Sequence, residues 1–307
     1  MSKIISVVPN ISEGNDQAFL TSLVEKLQAV KNLVVLDTSR DSVRNRTVFS
    51  FTGPREAIFA GGLTLYRETL AHVDMRKHRG EYPRLGAVDV FPFVPLKDAT
   101  IEETVAMSVD FARKVAEEFN IPVYLYGESA RFPMRRYVEN IREGEYEGLE
   151  NKLKDPRWKP DFGPTVFNPA AGATIIGARY PMISFKAILD TADEAVAETI
   201  ARLIQHASGG LAHVNAYAGL DSEHKVAQIT VTIANFRAMP MYRALEMLRM
   251  EAKRFAVSVR KVEMIGLVPE TAFIESAFYY MGIQDFSFDK ILERKIQTDL
   301  DEQSRPG

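Results

Sequence analysis

The stretch Asp74–Pro95, DMRKHRGEYPRLGAVDVFPFVP, joins a helical pattern to a buried strand, and the rest of the chain is organised around it. Gly80, Pro83 and Gly86 interrupt its first half, so we expect an irregular loop there. After Gly86 the residues are almost all apolar, which indicates a buried strand. The loop is rich in side chains that are cationic or can become so: Arg76, Lys77, His78, Arg79 and Arg84.

These cations give the loop a candidate function. Guanidinium groups match carboxylates and phosphates bidentately, and loops on rigid scaffolds often carry binding groups. The alternative is a solvated charged turn that binds nothing. Asp89 lies inside the apolar run, and a buried carboxylate needs a partner. Asp89 therefore favours a built anion site over a solvated turn.

Bulk composition excludes several classes of protein. The chain has 307 residues, a formal net charge of -3 and no cysteine. The charge gives no basic field for nucleic acid, and without thiols there is no disulfide and no cysteine-based metal site. No apolar run is long enough to span a membrane, and the N-terminus lacks the features of a signal peptide. We expect a cytoplasmic protein without nucleic-acid or membrane partners.

Hydrophobic periodicity gives the fold class. Each half of the chain shows the order strand–helix–strand–strand–helix–strand, which is typical of the ferredoxin-like unit. The first half has one helix and one strand more than that unit needs. Thr100-x-x-Glu103 and Thr191-x-x-Glu194 have the form of capping boxes, which mark helix starts. We predict an α/β (α+β) protein of two ferredoxin-like βαββαβ subdomains, with sheets that face each other across a ligand cleft.

The predicted division places one subdomain at residues 1–178, the second at 179–295 and a polar tail at 296–307. Residues 131–159 are polar and charged, which predicts a connection between the halves. Arg131, Arg135 and Arg136 lie there, either to receive a polyanionic ligand or simply to face solvent.

Two further features carry weak signals of their own. Gly163–Gly172, GPTVFNPAAG, has glycine at both ends, so its backbone can approach a flat ligand closely. Composition alone favours an interdomain connection there. Of five histidines none has a metal-ligand spacing such as HExxH, and only His78 lies in the basic loop. A structural role is the usual one for a single histidine, although its pKa suits acid–base catalysis.

Several motifs together resemble the formiminotransferase family, that is, glutamate formimidoyltransferases. The resemblance starts at Val8-Pro9-Asn10-Ile11-Ser12-Glu13-Gly14, which is similar to the family's VPNFSEG. The resemblance continues in order along nearly the whole chain. Its further segments are Asn45–Phe49, Asp74-Met75 with His78 and Gly80-Glu81, Pro83-Arg84, Gly86-Ala87, Asp89-Val90, Pro92–Pro95, Val123–Tyr126, Arg142–Leu149, Pro160–Pro164, Gly172–Thr174, Gly177–Arg179 and Ile265–Pro269.

The resemblance implies a function. It implies a cytoplasmic, usually homodimeric transferase that moves a formimidoyl group from N-formimidoyl-L-glutamate to tetrahydrofolate, linking histidine degradation to one-carbon metabolism. Tetrahydrofolate is then a co-substrate, and no metal is needed. The resemblance implies substrate binding by Asn10, Arg76 and Arg84, and this chain's own Lys186 is a further candidate. The resemblance also implies folate binding by Gly163, Pro164, Thr165, Val166, Phe167, Asn168, Pro169, Ala170, Ala171 and Gly172.

The chain departs from the family at the catalytic position. The family carries a histidine in Gly-Glu-His-Pro-Arg, whereas this chain has Tyr82 there. A phenol with a pKa near ~10 is a poor base at neutral pH, which leaves Tyr82, His78, water or the substrate's own amidine to move protons. Lys186 and Thr232 also replace family asparagines, and Lys186 adds a cation that could select a different acid.

Three hypotheses follow from this departure. The first is an enzyme of the family with altered chemistry at Tyr82. The second is a paralogue that binds folate and has lost catalysis. The third is a transferase for another amino acid, such as formimidoylglycine, with Lys186 as the discriminating residue. Because the chain stops soon after its last predicted helix, we expect any cyclodeaminase step to need a separate protein.

Overall fold

A computed structural model describes residues 3–81, 83–221 and 225–303 of the protein. The chain divides into two compact units, one ending at Tyr180 and the other starting at Pro181. Each unit is an α/β layer with its own hydrophobic core.

The first unit has a sheet of seven strands. The strands are β1 (Ile4–Val7), β2 (Asn10–Ile11), β3 (Val34–Asp41), β4 (Arg46–Thr52), β5 (Val88–Lys97), β6 (Val123–Gly127) and β7 (Thr174–Ala178). The helices are α1 (Gln17–Gln28), α2 (Arg55–His72), α3 (Ile101–Phe119), α4 (Val138–Arg142) and α5 (Glu145–Lys154).

The sheet of the first unit extends a ferredoxin-like core. β1 and β2 lie one after the other between β4 and β5, and β3 pairs with β4 at one edge. These pairings are antiparallel. Beyond β5 the chain adds β7 and then β6, both parallel to their neighbours. The extra helix and strand that the periodicity predicts are therefore α3 and β6, with β7 inserted between β6 and β5.

The core of the first unit explains why the stretch after Gly86 is so apolar. Residues Val88–Pro95 of β5 are buried on both faces because β5 is a central strand. Phe91 lies at its middle and packs against Phe111 of α3, with ring centroids 4.6 Å apart. Tyr66 of α2 stacks on Phe91 at 5.9 Å and lies 6.1 Å from Phe111. The basic loop is thus followed directly by β5, a strand that lies in an aromatic core.

The second unit is a complete βαββαβ unit with additional helices. Its elements are β8 (Ile183–Leu189), α6 (Glu194–Ile204), β9 (Val214–Asp221), β10 (Val226–Ile233), α7 (Met241–Arg254), β11 (Val259–Ile265), α8 (Glu270–Met281) and α9 (Leu292–Gln303). The strand order β11-β8-β10-β9 is antiparallel throughout, as a ferredoxin-like sheet requires. The polar tail is helical as far as Gln303.

The two predicted capping boxes differ in outcome. At Thr100 both reciprocal bonds with Glu103 are formed, so this prediction is confirmed. The prediction at Thr191 is wrong. The N-cap of α6 is Asp193, whose carboxylate accepts from the amides of Ala195 and Val196. Aspartate two residues later offers a charged acceptor to the helix start, and the Thr191 hydroxyl accepts from the Asp193 amide instead.

The prediction that residues 131–159 connect two halves is also wrong. These residues form α4, α5 and two short 3-10 helices that pack onto the first sheet. Ile141, Leu149 and Trp158 bury their side chains against Tyr124 of β6. Arg135, open to either a ligand or solvent on sequence grounds, is buried and ion-paired with Asp161.

Candidate functional site

Three segments of the first unit meet through their backbones. They are the basic loop (residues 74–86), the glycine loop (residues 163–172) and the N-terminus of α5. The Met75 amide donates to the Ala170 carbonyl at 2.9 Å, and the Ala173 amide donates to the Leu85 carbonyl at 3.1 Å. The two loops that sequence reasoning singled out are therefore neighbours, joined in part by main-chain hydrogen bonds.

Glycine is required where these loops cross. Gly86 and Gly172 form an isolated antiparallel bridge. A Cβ on Gly86 would lie 2.3 Å from the Ala173 carbonyl oxygen, and a Cβ on Gly172 would lie 2.3 Å from that of Leu85. Gly172 also has a φ of +72°, which side chains rarely adopt. The close approach of backbone that sequence reasoning expected at this glycine is made to the basic loop.

Asn168 shapes the glycine loop from within. Its carboxamide oxygen accepts from the amides of Ala170 and Ala171, both at 3.1 Å. Its carbonyl accepts from the Gly172 amide at 2.8 Å. These bonds use the main-chain donors of the loop locally, whereas the side chain of Val166 is 72% exposed. The loop thus presents a folded turn with an apolar tip.

Arg84 is the most heavily bonded cation of the basic loop. Its Nη1 donates to Glu145 and Glu147 at 2.8 Å each, and its Nη2 donates to Glu147 at 2.6 Å. Arg84 in turn lowers the pKa of Glu147. Because both acids belong to the start of α5, a ligand carboxylate at this guanidinium would compete with them.

Tyr146 joins the same three segments. Its phenol donates to the Pro169 carbonyl at 2.6 Å, and its amide donates to the Arg84 carbonyl at 2.9 Å. Its ring lies 5.5 Å from that of Phe167 in the glycine loop. On sequence grounds Tyr146 and its two acidic neighbours belong only to the segment Arg142–Leu149. The two acids on either side of Tyr146 are the sequence signal that could have predicted a partner such as Arg84.

His78 is buried and bonded through both ring nitrogens. Its Nδ1 faces Arg84 Nε at 3.4 Å, and its Nε2 lies 3.1 Å from the Asn45 carbonyl oxygen. Because a guanidinium can only donate, Nδ1 accepts, and Nε2 carries the proton that is donated to Asn45. Burial lowers the pKa of His78, with Arg84 acting in the same direction and the Asn45 bond opposing the shift. His78 is therefore a neutral imidazole with a fixed tautomer.

The lowered pKa of His78 predicts a pH-dependent stability. Unfolded His78 gains a proton as pH falls through about 6.5, whereas the folded form resists it. The unfolded chain then binds more protons, so stability is lost as pH falls through this value. We expect His78→Gln to reduce the loss of unfolding free energy between about pH 7.5 and about pH 5.5, measured by urea unfolding. The exposed His206, changed to Gln, is the control and should keep the slope of the unaltered protein. Equal slopes for all three proteins would contradict the prediction.

A small pocket surrounds these groups. Five of its residues are His78 and Arg84 of the basic loop, Arg44 and Asn45 of the turn before β4, and Arg46 at the start of β4. Its lining is Ile11, Ser12, Arg44, Asn45, Arg46, His78, Arg84 and Asp89. Asn10 adjoins it, because its side-chain oxygen accepts from Arg46 Nη2. Three arginines and one aspartate line the pocket, and Arg84 and Asp89 are ion-paired with residues outside the lining.

Asp89 has the ion-pair partner expected for a buried carboxylate. Its carboxylate accepts from Arg142 of α4 and, at 2.8 Å, from the Leu85 amide. The expectation drawn from the sequence is confirmed in this respect. No local pattern pairs Asp89 with Arg142, because Arg142 lies 53 positions further on. The pair anchors the end of the basic loop to α4.

Arg76 and Lys186 are not among the residues that line this pocket. Arg76 is exposed and forms a bidentate pair with Asp74, at 2.7 and 2.8 Å, which lowers the pKa of Asp74 to about 2. Lys186 is half-buried on β8 in the second unit, between Thr230 of β10 and Glu263 of β11. Tyr82 lies outside the described residues.

In the part of the chain that the structure describes, no group of three or more histidine or acidic side chains could hold a metal ion. None of the helices within residues 3–81, 83–221 and 225–303 has the length and apolar character needed to cross a membrane.

The fold and the site define an α/β protein of two units, with two interlocked loops in the first. Comparison with known families makes the class specific. The formiminotransferase domain, N-terminal subdomain, matches residues 4–179, and the formiminotransferase domain matches residues 172–301. The chain belongs to the formiminotransferase family, and the resemblance drawn from the motifs is confirmed.

Individual relatives agree with this assignment. The chain is 38% identical to a glutamate formimidoyltransferase of Streptococcus pyogenes serotype M1, over 96% of the chain and 99% of the relative. It is 39% identical to that of Thermoplasma acidophilum, with coverages of 96% and 97%. It is 36% identical to the formimidoyltransferase-cyclodeaminase of Rattus norvegicus over 91% of the chain, which spans 53% of that longer protein.

Proposed function

We propose that this protein transfers a formimidoyl group from N-formimidoyl-L-glutamate to tetrahydrofolate, in histidine degradation and one-carbon metabolism. The observation that carries the proposal is the 38% identity, over 96% of this chain and 99% of the relative, to a protein named glutamate formimidoyltransferase. We further propose a cytoplasmic homodimer that needs no metal.

The binding roles extend the proposal to residues. The glycine loop, Gly163–Gly172, is proposed to bind folate, and its exposed tip at Val166 and adjoining Phe167 offer apolar surface to a flat ring. Asn10, Arg76, Arg84 and Lys186 are proposed to bind the acidic parts of the two substrates. For Arg84 this requires exchange of Glu145 or Glu147 for the ligand carboxylate, because those acids occupy its guanidinium.

The proposed reaction requires the site to move a proton between two nitrogen atoms. Nitrogen N5 of the folate attacks the amidine carbon and forms a C–N bond, and the C–N bond to the glutamate nitrogen then breaks. One proton leaves N5 and one is gained by the departing amine, so the net change is a transfer between two nitrogens. A positioned acid–base group accelerates such a step. We propose Tyr82 as the group that donates to the leaving nitrogen.

His78 is proposed as the second group of this machinery. In its neutral form it can accept a proton only at Nδ1, where the hydrogen bond from Arg84 Nε is long at 3.4 Å. Accepting that proton would require the guanidinium to move away. Proton uptake at His78 is thus coupled to a displacement of Arg84.

The test is turnover by the purified protein. Formimidoylglutamate and tetrahydrofolate are mixed with it, and glutamate release and folate product are followed by mass spectrometry. We expect both products above the rate in buffer, in equal amounts. Formimidoylglycine in place of formimidoylglutamate tests the other donor, and calorimetry with tetrahydrofolate measures binding alone. Folate binding without turnover of either donor would replace the proposal by a non-catalytic paralogue, and turnover of formimidoylglycine alone would replace the donor.

A further inference from the structure

We propose that Asn45 is a positioning residue for the transfer reaction, holding the part of the basic loop that leads to residue 82. The kinetic part of this inference rests on the proposed function, whereas its structural part does not. Asn45 is the last residue of the turn between β3 and β4. Neither composition nor spacing marks it as a site residue.

The contacts of Asn45 join three segments that are distant in sequence. Its side-chain oxygen accepts from the Gly14 amide at 2.9 Å, and its side-chain nitrogen donates to the Arg79 carbonyl at 2.8 Å. Its own carbonyl accepts from His78 Nε2 at 3.1 Å. One residue therefore fixes the loop after β2 and two successive positions of the basic loop.

The backbone at this point leaves little room for adjustment. Asn45 has a φ of +48°, in the left-handed region that asparagine tolerates better than most residues. The chain of the basic loop passes directly over the turn: a Cβ on Gly80 would lie 2.5 Å from the Arg44 carbonyl oxygen. The contact at residues 78–80 is thus both hydrogen-bonded and tightly packed.

The far side of the same segment is held as well. Arg84 is fixed by Glu145 and Glu147, and its Nε reaches back to His78. Asn45 therefore supports one end of a short segment whose other end is already anchored. Since a displacement of about 1 Å can cost about 10²-fold in rate, loss of this support should reduce catalysis more than binding.

Asn45→Gly isolates the side-chain contribution. Glycine adopts the left-handed backbone freely, so the variant removes the two side-chain hydrogen bonds without adding backbone strain. Asn45→Asp keeps an acceptor for Gly14 and loses the donor to Arg79. The matched control is Asn120→Gly. Asn120 caps α3 with a φ of +51°, is exposed, and its side chain forms no hydrogen bond within the described part of the chain.

Two measurements decide the proposal. We expect kcat of Asn45→Gly to fall by about 10- to 100-fold while KM for both substrates changes by no more than about threefold, with Asn45→Asp between it and the unaltered protein. Hydrogen exchange of amides 76–81 should quicken in Asn45→Gly and not in Asn120→Gly. An Asn45→Gly protein with unaltered kcat, or a fall shared by Asn120→Gly, overturns the proposal. If the unaltered protein turns over neither donor, the proposed function fails, and unchanged exchange at amides 76–81 would still overturn the structural part on its own.

Discussion

Asp161→Ala is expected to lower the free energy of unfolding of the first unit by about 3–5 kcal/mol. Asp161 and Arg135 form an ion pair at 2.9 Å, and each side chain is 1% exposed. Removing one partner leaves the other charge buried without compensation, which costs far more than the pair itself contributes. The Leu125 amide, which donates to the same carboxylate at 2.9 Å, would also lose its acceptor.

The surroundings of Arg135 explain why it cannot escape to solvent. Its Nη2 donates to the carbonyls of Arg157 and Lys159, at 2.9 and 2.8 Å. Its guanidinium lies over the rings of Phe132, Tyr124 and Trp158, at 4.8, 5.3 and 5.6 Å. These contacts hold the arginine in place when the carboxylate is removed, so relaxation can recover little of the loss.

The measurement uses the single tryptophan of the chain. Trp158 lies against Arg135 in the first unit, so its fluorescence reports on this region during urea unfolding. Glu150→Ala is the control, because its ion pair with Lys154 is exposed and should contribute less than about 1 kcal/mol. Arg135→Met combined with Asp161→Leu should recover much of the stability lost by the single change. A cost for Asp161→Ala no greater than that for Glu150→Ala would refute the argument.

Arg135 also shows where sequence reasoning reaches its limit. Arg131, Arg135 and Arg136 look alike in a polar segment, yet only Arg135 is buried, whereas Arg136 is an exposed partner of Glu128. The partner of Arg135 lies 26 residues further on, so no local pattern marks it. Local rules succeeded where the partners are local, as in the capping box at Thr100. They failed at α6, where two residues close together in sequence, Thr191 and Asp193, competed for the same cap.

The same contrast between local and distant partners holds for the candidate site. Sequence reasoning found the basic loop, the glycine loop and the need for a partner at Asp89, because each is visible within one short segment. The ion pair of Arg76 is local, because its aspartate lies two residues away. The ion pairs of Arg84 could not be predicted, because its acidic partners lie 61 and 63 residues away in the sequence. Sequence reasoning also could not see that His78 has both ring nitrogens engaged, since that depends on how distant segments meet.

Tyr82→His is expected to raise kcat by about 10²- to 10⁴-fold, the usual contribution of a positioned general acid–base group. The reaction moves a proton between two nitrogens. Imidazole, with a pKa near ~6.5, can both accept and release it at neutral pH, whereas a phenol with a pKa near ~10 can do so poorly. Residue 82 belongs to the segment whose flanking residues, His78 and Arg84, are fixed by hydrogen bonds. A histidine introduced there would have a scaffold on both sides.

The pH profile separates acid–base catalysis from a change in shape. The new imidazole acts as a base only when neutral, so kcat of Tyr82→His should fall as pH drops through about 6.5, with no such limb for the unaltered protein. Tyr82→Asn is the matched control, because it removes the phenol and supplies a hydrogen-bonding group that cannot titrate. Its kcat should not exceed that of the unaltered protein. If Tyr82→His were no faster than Tyr82→Asn while both bound tetrahydrofolate normally, residue 82 would not be the position that limits proton transfer. His78 and the exchange of carboxylates at Arg84 would then be the next candidates for the limiting step.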